Sequence, residues 1–400
     1  MSALIKDDQS ILLIGVVLLI VVIAILLEQR YKWASFVGSF FICIVGGFLL
    51  SNLNVIPHSA PAFSAVDGII LLVALPMFLF RANIKSILKD SGKLFGLFHI
   101  AAIGSLVASL IMGILFSSHE LVAKCLPILC AGQVGGTVNC VSVGNIIGVG
   151  EGFLDTYLVA DNFAFCFIVL ILNILHNSMF IKKLLPRPET DALEASVDKE
   201  ALLAQGKTIT AGFWGGKEIS LRDIALCLAT AFMIVGVSEV IANFILSLGL
   251  PNIINQLFGN VYMILTIITV VLATCFPKFL SSINGAMEIG NICFLMWFTT
   301  VGIAGDLAEM LRSGVIILLM CLFSFCVNLL ISVIGAKLLH MTWEEAVAAN
   351  MASVGGPPTV AAIAGSFGWT KVIVPGMLVG LWGYVIGNYF GIIIANLFVF

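Results

Sequence analysis

Long apolar runs, separated by short charged or Pro/Gly/Asn-rich segments, recur along the whole chain. A run of about 18 or more apolar residues can cross a bilayer as a helix, whereas a membrane β-barrel would show short alternating segments. The runs predict about ten transmembrane helices, at 11–27, 34–50, 62–80, 94–116, 156–180, 223–248, 260–279, 283–304, 314–339 and 372–398. The predicted fold class is therefore an all-α polytopic membrane protein.

Two further apolar segments are interrupted by glycine pairs. The pairs Gly135-Gly136 and Gly355-Gly356 lie 220 residues apart, within the segments 121–150 and 343–368. Matching interruptions in two halves of a membrane protein are a strong sequence indication of a transport site. We therefore divide the chain into a first membrane repeat, a cytoplasmic linker and a second membrane repeat, with bounds 1–181, 182–222 and 223–400.

Positive charge orients the spans, since cytoplasmic loops of membrane proteins carry an excess of Lys and Arg. If each interrupted element is a re-entrant hairpin, one side of the membrane receives Arg30, Lys32, Arg81, Lys85, Lys89, Lys93, Lys182, Lys183, Arg187, Lys278, Lys337 and Lys371. That topology places both termini outside. It also gives each half five spans, so the second half is inverted relative to the first. The alternative is a pair of broken helices that cross, which would move the cluster at 182–187 to the outer side.

Composition removes other classes of protein. The chain is 60% hydrophobic and 10% charged, against about 25% charged in soluble domains. No basic patch with interleaved aromatics suggests a nucleic-acid partner. No HExxH motif, histidine cluster or phosphate-binding loop is visible, so we expect neither an enzyme nor an organic or metal cofactor. The partners we expect are a lipid bilayer and a small solute.

The glycine pairs carry neutral polar neighbours that fit a binding site. Backbone that leaves a helix inside a bilayer is tolerated only against protein or a water-filled cavity, and glycine lets a ligand approach it. Freed N–H groups at a half-helix N-terminus favour an anionic group. The candidate substrate-binding residues are Gln133, Gly135, Gly136, Thr137, Asn139, Ser353, Gly355, Gly356, Pro357 and Thr359. The alternative is a glycine motif for helix packing.

Three further residues are candidates for ion coupling. Asp161 and Asn162 follow the first interrupted element within an apolar span, where a carboxylate is costly and usually functional. Asp161 could bind Na⁺ or carry a proton. Glu288 is a weaker candidate, because it could simply lie at a helix end.

Four stretches resemble one family. They are Ala74-Leu75-Pro76-Met77-Phe78-Leu79-Phe80-Arg81-Ala82-Asn83, Gly135-Gly136-Thr137-Val138-Asn139, Ala160-Asp161-Asn162 and Gly355-Gly356-Pro357-Pro358-Thr359. Together they resemble the YjcL-like membrane proteins of domain-of-unknown-function family 819. That family resembles the sodium/glutamate, citrate and bile-acid symporters and the cation–proton antiporters. The resemblance implies a dimerising scaffold domain, a moving core domain, and an ion-coupling role for Asp161.

The sequence thus predicts a secondary transporter in the bacterial inner membrane. We expect Na⁺- or H⁺-coupled symport of a small organic anion or amino acid by an elevator-like alternating-access movement, in a homodimer. A cation–proton antiporter of the same fold is one alternative. A channel or a membrane receptor that does not transport is an alternative of another class.

Overall fold

The computed structural model describes residues 3–80, 84–116, 119–196, 218–249, 259 and 261–398, and these contain helices but no strand. The main helices are α1 Ser10–Arg30, α2 Ser39–Asn52, α3 Pro61–Leu79, α4 Ile84–Phe116, α5 Glu120–Ile147, α6 Glu151–Asn177, α7 Leu221–Ser247, α8 Val261–Cys275, α9 Ala286–Ile303, α10 Val315–Leu338, α11 Trp343–Val354, α12 Gly356–Ser366 and α13 Ile373–Phe398. Short helices cover Lys32–Val37, Met179–Leu184, Pro188–Ser196, Pro277–Ser281 and Leu307–Glu309.

The helices match the predicted spans closely. Among the described residues, eight helices are long and apolar enough to cross a membrane. They comprise α1, α3, most of α4 and α6, α7, α9, α10 and α13. Two shorter apolar helices, Ser39–Asn52 and Ile264–Cys275, occupy the remaining two predicted positions. The all-helical class is therefore confirmed for the described residues, and eight of the ten predicted spans coincide with helices that could cross a membrane.

The first interrupted element is a helical hairpin. Its backbone leaves the helical region at Gly135 and Gly136. A Cβ atom added at Gly132 would touch the Cys140 sulfur, and one at Gly144 would lie 3.6 Å from Cδ1 of Ile128. In a straight helix, Ile128 and Gly144 would be about 24 Å apart, because they are separated by 16 residues. The two arms of α5 therefore run back along each other, with the glycine pair at the tip.

The second interrupted element has the same form. A Cβ atom added at Gly376 of α13 would touch Val360 of α12 and lie 3.6 Å from the Cβ atom of Ala348 in α11. One added at Gly380 would lie 2.9 Å from the Pro357 nitrogen. Both arms thus flank the first part of α13, and the tip lies one helical turn further along it.

Helix α13 packs against both hairpins, which lie along it from opposite ends. Its residue Gly391 would place a Cβ atom 2.9 Å from atoms of Pro127, Ala131 and Val143 in the two arms of α5. Gly387 makes the same kind of approach to Ala131 and Asn139. The first half of α13 therefore packs on the second hairpin, the last half packs on the first hairpin, and the tips meet at its middle.

Several basic segments gather at one end of the bundle. The backbone N–H of Trp343 donates to the Pro186 carbonyl, and that of Lys371 donates to Glu189. Phe40 packs on Phe367 at the same end. Basic residues near these contacts are Arg30, Lys32, Lys182, Lys183, Arg187, Lys337 and Lys371. Their common location agrees with the charge-based topology, while Arg81 lies outside the described residues.

The start of the predicted linker is folded onto the base of the second hairpin. Thr190 donates from its N–H and its hydroxyl to one oxygen of Glu344, at 3.1 and 3.0 Å, and accepts from the indole of Trp369 at 2.9 Å. Burial raises the pKa of the Glu189 carboxyl above its ordinary value, and the N–H of Lys371 opposes that shift. The segment 186–191 therefore joins both ends of the hairpin, and linker residues 197–217 lie outside the described residues.

The hairpin form of α5 can be tested with spin labels on Lys124→Cys and Ile146→Cys, both at exposed positions. A straight helix would hold these positions about 33 Å apart, whereas packed helices have axes about 8–10 Å apart. We expect strong dipolar broadening in the doubly labelled protein, with exposed Cys275 and Cys326 replaced by serine. The two single-cysteine proteins are the controls. A distance distribution centred near 30 Å would contradict the hairpin.

Candidate functional site

The two glycine pairs adopt the same backbone conformation. Gly135 has φ −137° and ψ 15°, and Gly355 has φ −131° and ψ 0°. Gly136 and Gly356 follow with φ of +71° and +73°, a left-handed region that side chains with a Cβ rarely enter. Glycine is thus required by the turn itself. This geometry identifies both pairs as helix breaks, which a glycine packing motif alone would not require.

The tips touch each other beside one aromatic residue. A Cβ atom added at Gly136 would lie 3.4 Å from the Gly355 carbonyl carbon and 3.6 Å from Cε1 of Tyr384. One added at Gly356 would lie 2.8 Å from the Tyr384 hydroxyl oxygen. Tyr384 is almost fully buried at mid-length of α13. Any ligand held by both tips would therefore lie close to this side chain.

A buried polar network supports the tips from one side. Asn328 of α10 donates to the Ser105 hydroxyl at 2.6 Å and accepts from the Asn350 amide at 2.7 Å. The hydroxyls of Ser105 and Ser353 then both donate to the Gln133 carbonyl, at 3.0 and 2.6 Å. A helix that stops leaves its last carbonyls without intrahelical partners. The network supplies two hydroxyl donors to the carbonyl of Gln133, which lies two residues before the break at Gly135.

A second set of contacts holds the first tip on α13. The Asn139 amide donates to the Tyr384 carbonyl and to the Asn388 side-chain oxygen, both at 2.9 Å. Asn388 in turn donates to the Ser142 hydroxyl at 3.1 Å. A backbone carbonyl can only accept, so these bonds fix the orientation of the Asn139 amide. Asn139 is therefore a tie between the hairpin and α13.

Three side-chain oxygens around the tips have no hydrogen-bond partner among the described residues. They are Oε1 of Gln133, Oδ1 of Asn139 and Oδ1 of Asn350, and all three side chains are buried. A buried acceptor without a donor costs about 1–3 kcal/mol. An N–H group, a cation or water would remove that cost. These three oxygens can therefore accept from water or from a ligand that donates hydrogen bonds or carries positive charge.

The remaining predicted tip residues differ in availability. Thr137 is exposed, directly beyond the first break, and can reach a solute. Thr359 is buried and donates to the Gly355 carbonyl at 3.0 Å, and Pro357 is buried beside Gly380. Since Pro357 and Pro358 have no N–H, the second tip presents fewer backbone donors than the first.

Asp161 lies behind the first hairpin. It is half-buried on α6, accepts a hydrogen bond from the Cys321 thiol of α10, and interacts electrostatically with Tyr157 and Cys140. Cys140 and Tyr157 also lie beside Gly132, one turn before the break. Asp161 therefore connects to the hairpin through a thiol and a phenol, those of Cys140 and Tyr157.

The other two ion-coupling candidates lie in different surroundings. The backbone carbonyl of Asn162 accepts from the Cys166 thiol at 3.2 Å, and its side chain is half-buried. Glu288 lies in the first turn of α9 and interacts electrostatically with Cys227 of α7. This is the helix-end position that the sequence left open for Glu288. In the described residues no group of three or more His, Cys, Asp or Glu side chains is arranged to hold a metal ion.

Comparison with known proteins agrees with this architecture. A family model described as "Protein of unknown function (DUF819)" matches residues 15–399. The chain belongs to the DUF819 family. It is 30% identical over 399 residues to the Bacillus subtilis (strain 168) protein "Uncharacterized membrane protein YjcL", a match covering 100% of this chain and 99% of the relative. The chain is thus a multi-pass membrane protein in contact with a lipid bilayer, and the predicted family is confirmed.

The structure adds four residues to the DUF819 site that the sequence interpretation did not include. Ser105, Asn328 and Asn350 form the supporting network, and Tyr384 lies between the tips. Asn328 could have been identified from the sequence, since an amide at the centre of a long apolar span is costly unless it is hydrogen-bonded. Ser105 had little signal, because serine is common in membrane helices.

Substitution of Gly356 tests the tip geometry of this DUF819 protein. Gly356→Ala would place a methyl group 2.8 Å from the Tyr384 hydroxyl, in addition to the left-handed strain of about 1–2 kcal/mol. Gly148→Ala is a matched control, with φ +68° and no atom within 4 Å of the added Cβ. We expect Gly356→Ala to lower the free energy of unfolding by about 1–3 kcal/mol more than the control. Equal effects on the thermal transition would contradict the close contact.

Proposed function

We propose that this protein is an ion-coupled secondary transporter that binds a small anionic or zwitterionic solute between its two hairpin tips. The observation that carries the proposal is the meeting of two glycine-broken hairpins at the middle of α13, which they reach from opposite ends. Irregular backbone at membrane depth is tolerated where it is buried in protein or lines a cavity. Broken elements from two inverted repeats form substrate sites in many secondary transporters.

The shared break geometry supports inverted repeats. The two turns have matching dihedral angles at positions 220 residues apart. In each half, four predicted spans precede the hairpin and one follows it. Because five spans are an odd number, we propose that 1–181 and 223–400 are repeats of opposite orientation. The gathered basic segments support a cytoplasmic location for the base of the second hairpin, and we propose that both termini lie outside the bacterial inner membrane.

The chemistry of the tips supports a solute with two kinds of polar group. Beyond Gly136 the second arm of α5 begins, and the N–H groups of its first turn favour a carboxylate. The unpartnered oxygens of Gln133, Asn139 and Asn350 require donors instead. A zwitterion such as an amino acid satisfies both requirements. A dicarboxylate would satisfy only the first, and we propose the amino-acid class over it.

Asp161 is the proposed coupling residue. Na⁺ prefers several hard oxygen ligands, whereas the groups shown to interact with Asp161 are the phenol of Tyr157 and three thiols, those of Cys321, Cys140 and Cys125. These neighbours support a proton over Na⁺ as the coupling ion. Coupling requires that ion and solute favour the same conformational state, and the effect is reciprocal. In the proposed cycle the hairpins move as a core against a dimeric scaffold.

A thermal-shift screen of the purified protein tests this function. Amino acids, dicarboxylates and small peptides are each added with and without Na⁺, at two pH values. A ligand at 100 times its dissociation constant stabilises the folded state by about 2.7 kcal/mol. We expect stabilisation by amino acids that depends on pH or Na⁺. If no solute stabilises the protein and reconstituted vesicles show proton-driven cation flux, the protein is an antiporter, and a solute-independent current would indicate a channel.

The role of Asp161 is tested in reconstituted vesicles loaded with the solute identified by the screen. Coupling energies of 1–3 kcal/mol correspond to changes of about 5–150-fold. We expect Asp161→Asn to remove ion-stimulated uptake while leaving the thermal transition near that of the wild type. Asp67→Asn is the control, because Asp67 is a second carboxylate within a span and accepts from Thr300 at 2.6 Å. Uptake that Asp161→Asn leaves ion-stimulated would exclude Asp161 as the coupling group.

A further inference from the structure

One face of α7 carries polar side chains where a lipid-facing helix should be apolar. Glu239 and Asn243 are exposed on this 27-residue span, among exposed side chains that include Met233 and Val240. In the described part of the chain, neither Glu239 nor Asn243 is hydrogen-bonded or paired with a charge. Ala231, Ile234 and other small or apolar side chains occupy the opposite, buried side of the helix.

The position of Glu239 makes contact with lipid unfavourable. It lies eight residues before the helix end at Ser247, which corresponds to about 12 Å along the axis. A glutamate side chain is too short to reach the end of the helix over that distance. An ionisable group within a membrane helix is costly, by about 2.5–3.5 kcal/mol at the helix centre on insertion scales. The face is therefore expected to have a polar partner.

The corresponding outer helix of the first half has no such feature. Exposed side chains of α1 are apolar through its centre, including Leu18, Leu19, Val22 and Ile23. Its one carboxylate within the helix, Glu28, is buried near the end and accepts from the backbone N–H of Ser39 at 3.0 Å. Lipid alone can cover α1. The polar pair on α7 is therefore not a general property of the outer helices of this bundle.

We propose that this face of α7, defined by Ala229, Gly236, Glu239, Val240 and Asn243, is the contact between two copies of the chain. Its polar groups are self-complementary, since a carboxylate accepts and an amide donates. A two-fold axis along the membrane normal would set Glu239 of one copy against Asn243 of the other, and the reverse. The inference gives a location to the homodimer of the proposed function.

Small residues on the same face allow the helices to approach closely. Ala229 and Gly236 are exposed and lie two helical turns apart, on the side that also holds Asn243. A Cβ atom added at Gly236 would meet no atom of its own chain within 4 Å. Helix association in membranes depends on such close backbone contact together with interhelical hydrogen bonds. The face offers both to a second copy of α7.

Matched glycine substitutions test this interface in the full-length protein. Gly236 of α7 and Gly15 of α1 both lie on outer helices with no atom within 4 Å of an added Cβ. With exposed Cys275 and Cys326 replaced by serine, we expect Gly236→Cys to form a disulfide-linked dimer in native membranes and Gly15→Cys to form no disulfide cross-link. We also expect Gly236→Leu to weaken dimerisation at least tenfold in lipid, measured by single-molecule photobleaching, with Gly15→Leu unchanged.

The polar pair has its own variants. Glu239→Leu should weaken the dimer, and Glu239→Gln, which keeps a hydrogen-bonding group, should restore part of it. A monomeric wild type, equal cross-linking at both cysteines, or a cross-linked product with another protein would overturn the proposal. Failure of the transport hypothesis would appear separately, as an absence of solute stabilisation while the Gly236→Cys cross-link still forms.

Discussion

Backbone polar groups that leave a helix inside a bilayer need partners, and the centre of this structure is arranged around that requirement. Each glycine pair takes the chain out of the helix and back again, which frees carbonyls on one side and N–H groups on the other. Two serine hydroxyls supply donors to the Gln133 carbonyl, and the Asn139 amide satisfies the Tyr384 carbonyl and Asn388. These partners come from several helices, so the breaks depend on the packing of the whole core.

Helix α13 makes that packing possible because one of its faces is nearly free of side chains. Glycines at 376, 380, 383, 387 and 391 recur every three or four residues and lie against the two hairpins, and the last four of them approach hairpin backbone atoms. The glycine packing motif that the sequence offered as an alternative for the tips thus exists in this protein, but on α13. Two different uses of glycine occur together, since the tips need its left-handed φ and α13 needs its lack of a side chain.

The two tips are alike in backbone but unlike in chemistry. The first tip is followed by residues that retain their N–H groups and by the exposed Thr137, and the second is followed by two prolines. The unpartnered oxygens of Gln133 and Asn350 come from different hairpins. A site made from both tips therefore combines backbone N–H donors with unpartnered side-chain oxygens, which suits a solute with opposite charges at its two ends. Asp161 stands outside this arrangement and would act on it through α6 and α10.

The sequence alone determined the class, the spans and the two breaks, because each depends on local properties. Apolar length predicts a membrane helix, and Gly135-Gly136 and Gly355-Gly356 stand out because each has polar neighbours and occurs at a matching place in its half of the chain. The positions of Lys182, Lys183 and Arg187 favoured the hairpin form over a broken crossing helix, and the contacts between the two arms of α5 decided it. Only the tertiary structure decided what surrounds the tips. Ser105, Asn328, Asn350 and Tyr384 meet there through contacts between residues far apart in the chain, and no local pattern encodes such distances. The docking of 186–191 on the second hairpin is likewise nonlocal, since Thr190 finds its partners at Glu344 and Trp369.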